Sequence, residues 1–113
     1  MSYEQDYIKR LLKKVGDVLA RALGLGKAGS YDESLQVLEQ GIGAELGVPF
    51  ALLLRLDPKS AISLLGKEKA AAFAQALHTR ALLFELGDQS GDARASAARA
   101  AELEQLLAVT ELR

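Results

Sequence analysis

The sequence predicts an all-α fold: two antiparallel helical hairpins joined by a short Leu-rich helical segment, about five to six helices in all. Three observations carry that expectation. Half of the residues are apolar, yet there are only three Tyr, three Phe and no Trp, so any core must be assembled from Leu and Ala, which favour helices over strands. Apolar residues recur at steps of three and four instead of alternating, the spacing of one helix face. Clusters of glycine separate these periodic stretches and mark the turns. At 113 residues the chain, 1–113, reads as one domain in which every helix must contribute to the core.

The first helix is expected from about Ser2 to Leu23, with Tyr7, Leu11, Leu12, Val15, Val18, Leu19, Ala22 and Leu23 on one stripe. Lys9, Arg10, Lys13, Lys14, Asp17 and Arg21 fall outside it. Gly24, Gly26 and Gly29 are expected to end this helix, because glycine permits chain reversal at low steric cost. Ser30 with Glu33 has the spacing of a capping box and opens the second helix, whose buried stripe is Tyr31, Leu35, Leu38 and Ile42. Gly41, Gly43, Gly47 and Pro49 weaken its end. Phe50 to Leu56 follows, a segment apolar enough to require burial between the hairpins or cover from a partner. Asp57 before Pro58 reads as a helix cap with proline at the first helical position, where its missing N–H costs nothing. Ser60 to Leu65 is the short helix that results, and Gly66 stops it. A long helix from about Lys67 to Leu86 places Ala70, Phe73, Ala74, Leu77, Ala81 and Phe84 along one side. After a turn at Gly87 and Asp88, the last helix runs from about Asp92 to Leu107 or beyond. Its small face, Ala93, Ala97, Ala100 and Ala101, allows a neighbouring helix to approach closely.

Fourteen basic against fifteen acidic residues leave a net charge of −1, which removes the whole-chain electrostatic case for a nucleic-acid partner. Without cysteine there is no disulfide framework, thiolate metal site or cysteine nucleophile. Met1 to Asp6 is polar, and no apolar run reaches the roughly 20 residues that span a bilayer. Neither a cleaved secretion signal nor a membrane span is expected, and a cytoplasmic location is.

Internal repetition is the most informative feature. Ala22, Leu25, Ser34, Leu38 and Gly41 recur as Ala81, Phe84, Ala93, Ala97 and Ala100 at a constant offset of 59 residues. On these positions the chain resembles the tetratricopeptide repeat, in which small side chains let the two helices of a hairpin interlock. Gly29 and Tyr31 also resemble the glycine and tyrosine of that repeat's inter-helix turn. The likeness covers about residues 9–46 and 68–107. Tandem repeats of that family stack at about 34 residues, so the larger offset leaves Gly47 to Gly66 and their flanks wedged between the hairpins, a departure from a regular superhelix. A second resemblance lies at the start, where Asp6, Tyr7, Ile8, Lys9, Arg10, Leu11 and Leu12 are similar to the opening of a family of short bacterial proteins of unknown function. It implies a bacterial cytoplasmic protein and no particular activity.

Each candidate for chemistry has a plain structural alternative. His78 is the only histidine, which excludes a two-histidine metal site. It shares a stripe with Gln75, Leu82 and Glu85, and the repeat resemblance implies that this stripe faces the concave, ligand-binding side. The same offset transfers the surface to Gly16, Leu19, Leu23 and Gly26 on the first hairpin. A half-polar stripe ending in Glu is equally what a solvated helix boundary looks like. The serines and threonines lack a G-x-S-x-G elbow, and Ser30 and Ser60 have structural roles at helix starts. Gly24, Gly26 and Gly29 imitate a dinucleotide fingerprint but follow a helix instead of a strand; with Lys27 beside them, only incidental anion binding is conceivable. Glu102 and Glu104 point to different helix faces and read as solubilising charges. Lys9, Arg10, Lys13, Lys14 and Arg21 form a basic face without an aromatic residue interleaved to stack a base.

The expected function is therefore a non-catalytic protein–protein interaction module, an adaptor or scaffold, with self-association into a homodimer as a variant. The binding residues are Leu19, Leu23, Gln75, His78, Leu82 and Glu85, the partner is a protein or peptide, and no cofactor or metal is called for. The alternative is a peripheral membrane or nucleic-acid binder acting through the basic first helix.

Overall fold

The computed structural model describes residues 3–111, and among them every regular element is helical. Six helices follow in order: α1 Tyr3–Lys27, α2 Tyr31–Leu46, α3 Phe50–Arg55, α4 Pro58–Leu65, α5 Lys67–Leu86 and α6 Ser90–Glu111. α1 packs on α2 and α5 on α6, giving the two hairpins. No helix among the described residues is long and apolar enough to cross a membrane.

The expected break at Gly24 and Gly26 does not occur, because α1 continues through both to Lys27. Gly26 serves contact instead of reversal: a Cβ there would stand 2.6 Å from Cδ2 of Leu83, so α1 and α5 meet closely and an added side chain would require Leu83 to shift. Gly41 does the same within the first hairpin, where a Cβ would lie 2.6 Å from Cγ1 of Val18. The reversal itself falls to Gly29, at φ +89°. The capping box also fails to form. Ser30 stands at the N-cap without a side-chain bond, its ψ of 66° falling short of the extended backbone from which an N-cap oxygen reaches back to the helix amides. Ser34 is the hydroxyl that acts locally, donating to the carbonyl of Tyr31 at 2.7 Å.

The two inter-helix turns are alike bond for bond at the offset of 59. Ser30 N donates to Leu25 O at 2.9 Å and Gln89 N to Phe84 O at 2.8 Å. Gly29 N donates to Gly26 O and Asp88 N to Glu85 O, at 3.0 and 3.1 Å. Ala28 N to Gly24 O is matched by Gly87 N to Leu83 O, both 3.1 Å. Asp88 adopts φ +60°, the left-handed region that Gly29 occupies more cheaply.

The bridge between hairpins is mostly core. Phe50 and Leu53 of α3 are buried, Leu54 and Leu56 pack against the core, and Leu52 alone of this group is largely exposed. Phe50 meets Phe73 of α5 edge to face at 5.4 Å between centroids, an arrangement worth about 1 kcal/mol beyond burial. Asp57 caps α4, accepting from Ser60 N at 3.4 Å and from Ser60 Oγ at 2.6 Å, with Pro58 in the first turn. Two cations from the second hairpin finish the preceding helices: Lys69 Nζ donates to Leu46 O at the end of α2, and Arg99 Nη2 to Leu53 O in α3. Carbonyls at a helix C-terminus favour such cations, and Leu53 O takes Arg99 in addition to the amide of Leu56.

α5 is the central element, packed against α1, α2, α4 and α6. Its predicted stripe is widened by Ala72, Ala76, Thr79 and Leu83, all buried. The alanines that make it helical also make it thin enough for neighbours to surround. On α6 the buried line is Ala93, Ser96, Ala100, Leu103 and Leu107, whereas Ala97 is half-buried and Ala101 exposed. On the first two helices, Leu12 and Tyr31 of the expected stripes are partly in solvent, and buried Ser34 takes the inward position.

Candidate functional site

The residues predicted to form one surface separate into two groups. Gln75, His78, Leu82 and Glu85 of α5 are exposed. Leu19 is only 5 % exposed and belongs to the core, and Leu23 is half-buried against it. The transfer of the surface to the first hairpin is thereby corrected. α5 packs along α1, so Leu19 and Gly26 of the corresponding stripe of α1 are interior and Leu23 is half-covered. Gly26 lies there against Leu83, and Gly16 remains exposed with nothing near it.

Around the exposed group lies an open groove of about 390 Å³ between α5 and α6. Ala81, Leu82, Ala93 and Ala97 supply its apolar surface; His78, Glu85 and Arg94 supply the polar rim. Leu82 is 55 % exposed, and Leu86, one turn further along α5, is 42 % exposed. One end of the groove is tied across the helices. His78 Nε2 lies 2.9 Å from Glu104 Oε1, a hydrogen-bonding distance that joins α5 to α6. Glu104 thus has a partner across the hairpin, although in sequence it looks like a solubilising charge. At the other end Glu85 on the α5 wall and Arg94 on the α6 wall have no ion-pair partner among the described residues.

A larger hollow of about 580 Å³ lies beside α2 and α3, lined by Glu39, Gly43, Gly47, Val48, Pro49 and Phe50 among others. Its charged wall is already engaged, because Glu39 Oε2 accepts from Arg80 Nε at 3.0 Å. The α5–α6 groove is the better candidate: it joins exposed leucine to charges that are still available.

Arg80 carries no signal in the sequence, yet it joins three helices. It donates to Glu39 and, through Nη1, to Ser96 Oγ at 3.0 Å, while its guanidinium lies 4.8 Å from the Phe84 centroid and 5.8 Å from that of Phe50. A single arginine on a helix of mixed polarity reads as solvated, and its partners are 41 and 16 residues away. No local pattern exposes them.

The remaining chemical candidates take structural places. The hollow near Gly29 and Ser30 is rimmed by Asp32 and Glu33, which repel an anion, and Gly24 and Gly26 are helical. Ser96 receives Arg80, Ser60 binds Asp57, and Ser34 binds the Tyr31 carbonyl. Among the described residues no group of three or more His, Cys, Asp or Glu side chains gathers as a metal site would require. Lys9, Arg10, Lys13, Lys14 and Arg21 are exposed on α1, interrupted by exposed Asp6 and Asp17. Compared with known protein families, with curated proteins and with solved structures, the chain matches none.

Proposed function

We propose that this chain is a small non-catalytic protein–protein interaction module, an adaptor built from tetratricopeptide-like hairpins, and that it binds through the α5–α6 groove. The observation that supports this reading is Leu82, more than half exposed beside an apolar groove whose rim carries Glu85 and Arg94 without partners among the described residues. Covering exposed leucine gains about 25 cal/mol for each Å² removed from water, and the charged rim selects which chain covers it. Gln75 and the His78–Glu104 pair extend the polar edge. On this reading the site serves a protein or peptide surface in a bacterial cytoplasm, the setting that the resemblance of Asp6 to Leu12 implies.

The test is a peptide-display selection on the full chain, followed by amide-exchange mapping of the selected ligands. Protection is expected along α5 and α6, with binding lost in Leu82→Asp. Ligands that bind Leu82→Asp as well as the parent chain, or that protect only α1, would sink the reading.

A further inference from the structure

We infer that the occupant of the α5–α6 groove is a second copy of this chain, docked about a two-fold axis that runs along the groove. The inference rests on the reading of this groove as the binding surface and names its partner.

An isologous contact requires one surface to carry both halves of every interaction. This groove does. It holds a projecting leucine, Leu82, and beside it an apolar hollow walled by Ala93 and Ala97. It holds an acid on one wall, Glu85 of α5, and a base on the other, Arg94 of α6. Rotation by half a turn about an axis parallel to the two helices leaves each residue at its level along the groove and exchanges the walls. α5 of one copy then lies over α6 of the other. Leu82 of each copy enters the alanine hollow of its mate, and Glu85 of each copy comes to Arg94 of its mate. The rim charges thus find opposite charges at two symmetry-related places. An unrelated partner would have to supply a leucine-sized projection, an acid and a base in the same order; a second copy already has them.

Sedimentation of the full chain from about 1 µM to about 1 mM, the range in which modest isologous contacts assemble, reads the inference directly. The parent chain is expected to pass from monomer to dimer, and Leu82→Asp to stay monomeric. Glu85→Arg and Arg94→Glu should each weaken association by about tenfold or more, while the double exchange E85R/R94E should return it to within about threefold of the parent, because the charges still meet across the axis. Circular dichroism on each variant checks folding; should Leu82→Asp unfold, the charge exchanges and the parent chain decide alone. A parent chain that is monomeric throughout, a dimer indifferent to Leu82→Asp, or a double exchange no better than the single ones overturns the inference. If the parent stays monomeric while display-selected peptides still require Leu82, only the second-copy assignment falls. If those peptides ignore Leu82, the binding surface falls with it.

Discussion

Arg80 and Glu39, 41 residues apart in sequence, are joined by a 3.0 Å charge-assisted hydrogen bond that links α5 to α2, with the guanidinium also lying against the Phe84 ring. The pair is sheltered but not sealed, the two side chains being 19 % and 36 % exposed. Arg80→Ala strips the donor from Glu39 and Ser96 and the cation from two rings, and is expected to cost about 2–4 kcal/mol. Glu39→Gln keeps an acceptor and, with solvent screening, should cost about 1 kcal/mol or less. Arg80→Lys should recover only part of the loss, since one ammonium cannot replace a planar fork that serves two partners. Urea unfolding measures all three; an Arg80→Lys variant as stable as the parent would contradict this account.

The glycines divide into those that touch something and those that do not. A Cβ at Gly24 or Gly16 meets nothing within 4 Å, so Gly24→Ala or Gly16→Ala should stabilise by about 0.5–1 kcal/mol through helix propensity. Gly41→Ala presses on the stiff, branched Val18 and should destabilise by about 1–3 kcal/mol. Val18→Ala in the Gly41→Ala background should recover part of that loss. Thermal melts of the four variants check the sign at each position.

The paired turns make a matching prediction. Asp88 sits at φ +60° where its counterpart Gly29 sits at +89°. Asp88→Gly should therefore be neutral or stabilising, Asp88→Ala destabilising, and Gly29→Ala costlier still, by about 1–2 kcal/mol. Denaturant midpoints order the three. A Gly29→Ala variant with an unchanged midpoint would mean that the turn does not need the left-handed conformation.

Asp57 connects the fold to pH. The Ser60 hydroxyl bonded to its carboxylate, together with backbone amides, holds its pKa below the ordinary value of 3.8. A folded-state pKa below the unfolded one gives stability that is present above the unfolded value and is lost as pH falls through the folded value. Ser60→Ala should move the Asp57 titration up, read by side-chain carboxyl NMR, and Asp57→Asn should flatten the acid limb of the stability curve. No upward movement in Ser60→Ala would assign the lowering to other groups.

Reversing Lys9, Lys13 and Lys14 to Glu should leave stability within about 0.5 kcal/mol, as at other exposed positions without partners. Binding through the α5–α6 groove should be unaffected and keep its salt dependence. Loss of binding with a steep salt slope would instead favour the basic first helix as the working surface.

Much of this architecture was legible because it is local. The turn at Gly87 and Asp88, the extent of Lys67 to Leu86 and the Asp57–Pro58 start are all set within a few residues. What escaped depends on packing across the chain. Gly26 reads as a helix end because glycine's two uses, reversal and close approach, look the same in a sequence; only Leu83 on another helix distinguishes them. The offset of 59 relates Leu19 to His78 and so points it to the binding surface. The offset holds for the backbone of the turns, but burial depends on the next neighbour, and α1 has α5 beside it. Within the candidate site, Leu82, His78 and Glu85 were readable from α5 alone, whereas Arg94 and Glu104 required knowing which face of α6 lies opposite.

The two cations that finish α2 and α3, Lys69 and Arg99, reach back from the second hairpin to carbonyls of the first half of the chain. Melting α5 or α6 therefore uncaps helices that are not themselves melting, and loss of structure spreads backward through the chain. Heat should consequently dissolve the molecule in one cooperative step, although its two hairpins turn on matching sets of hydrogen bonds.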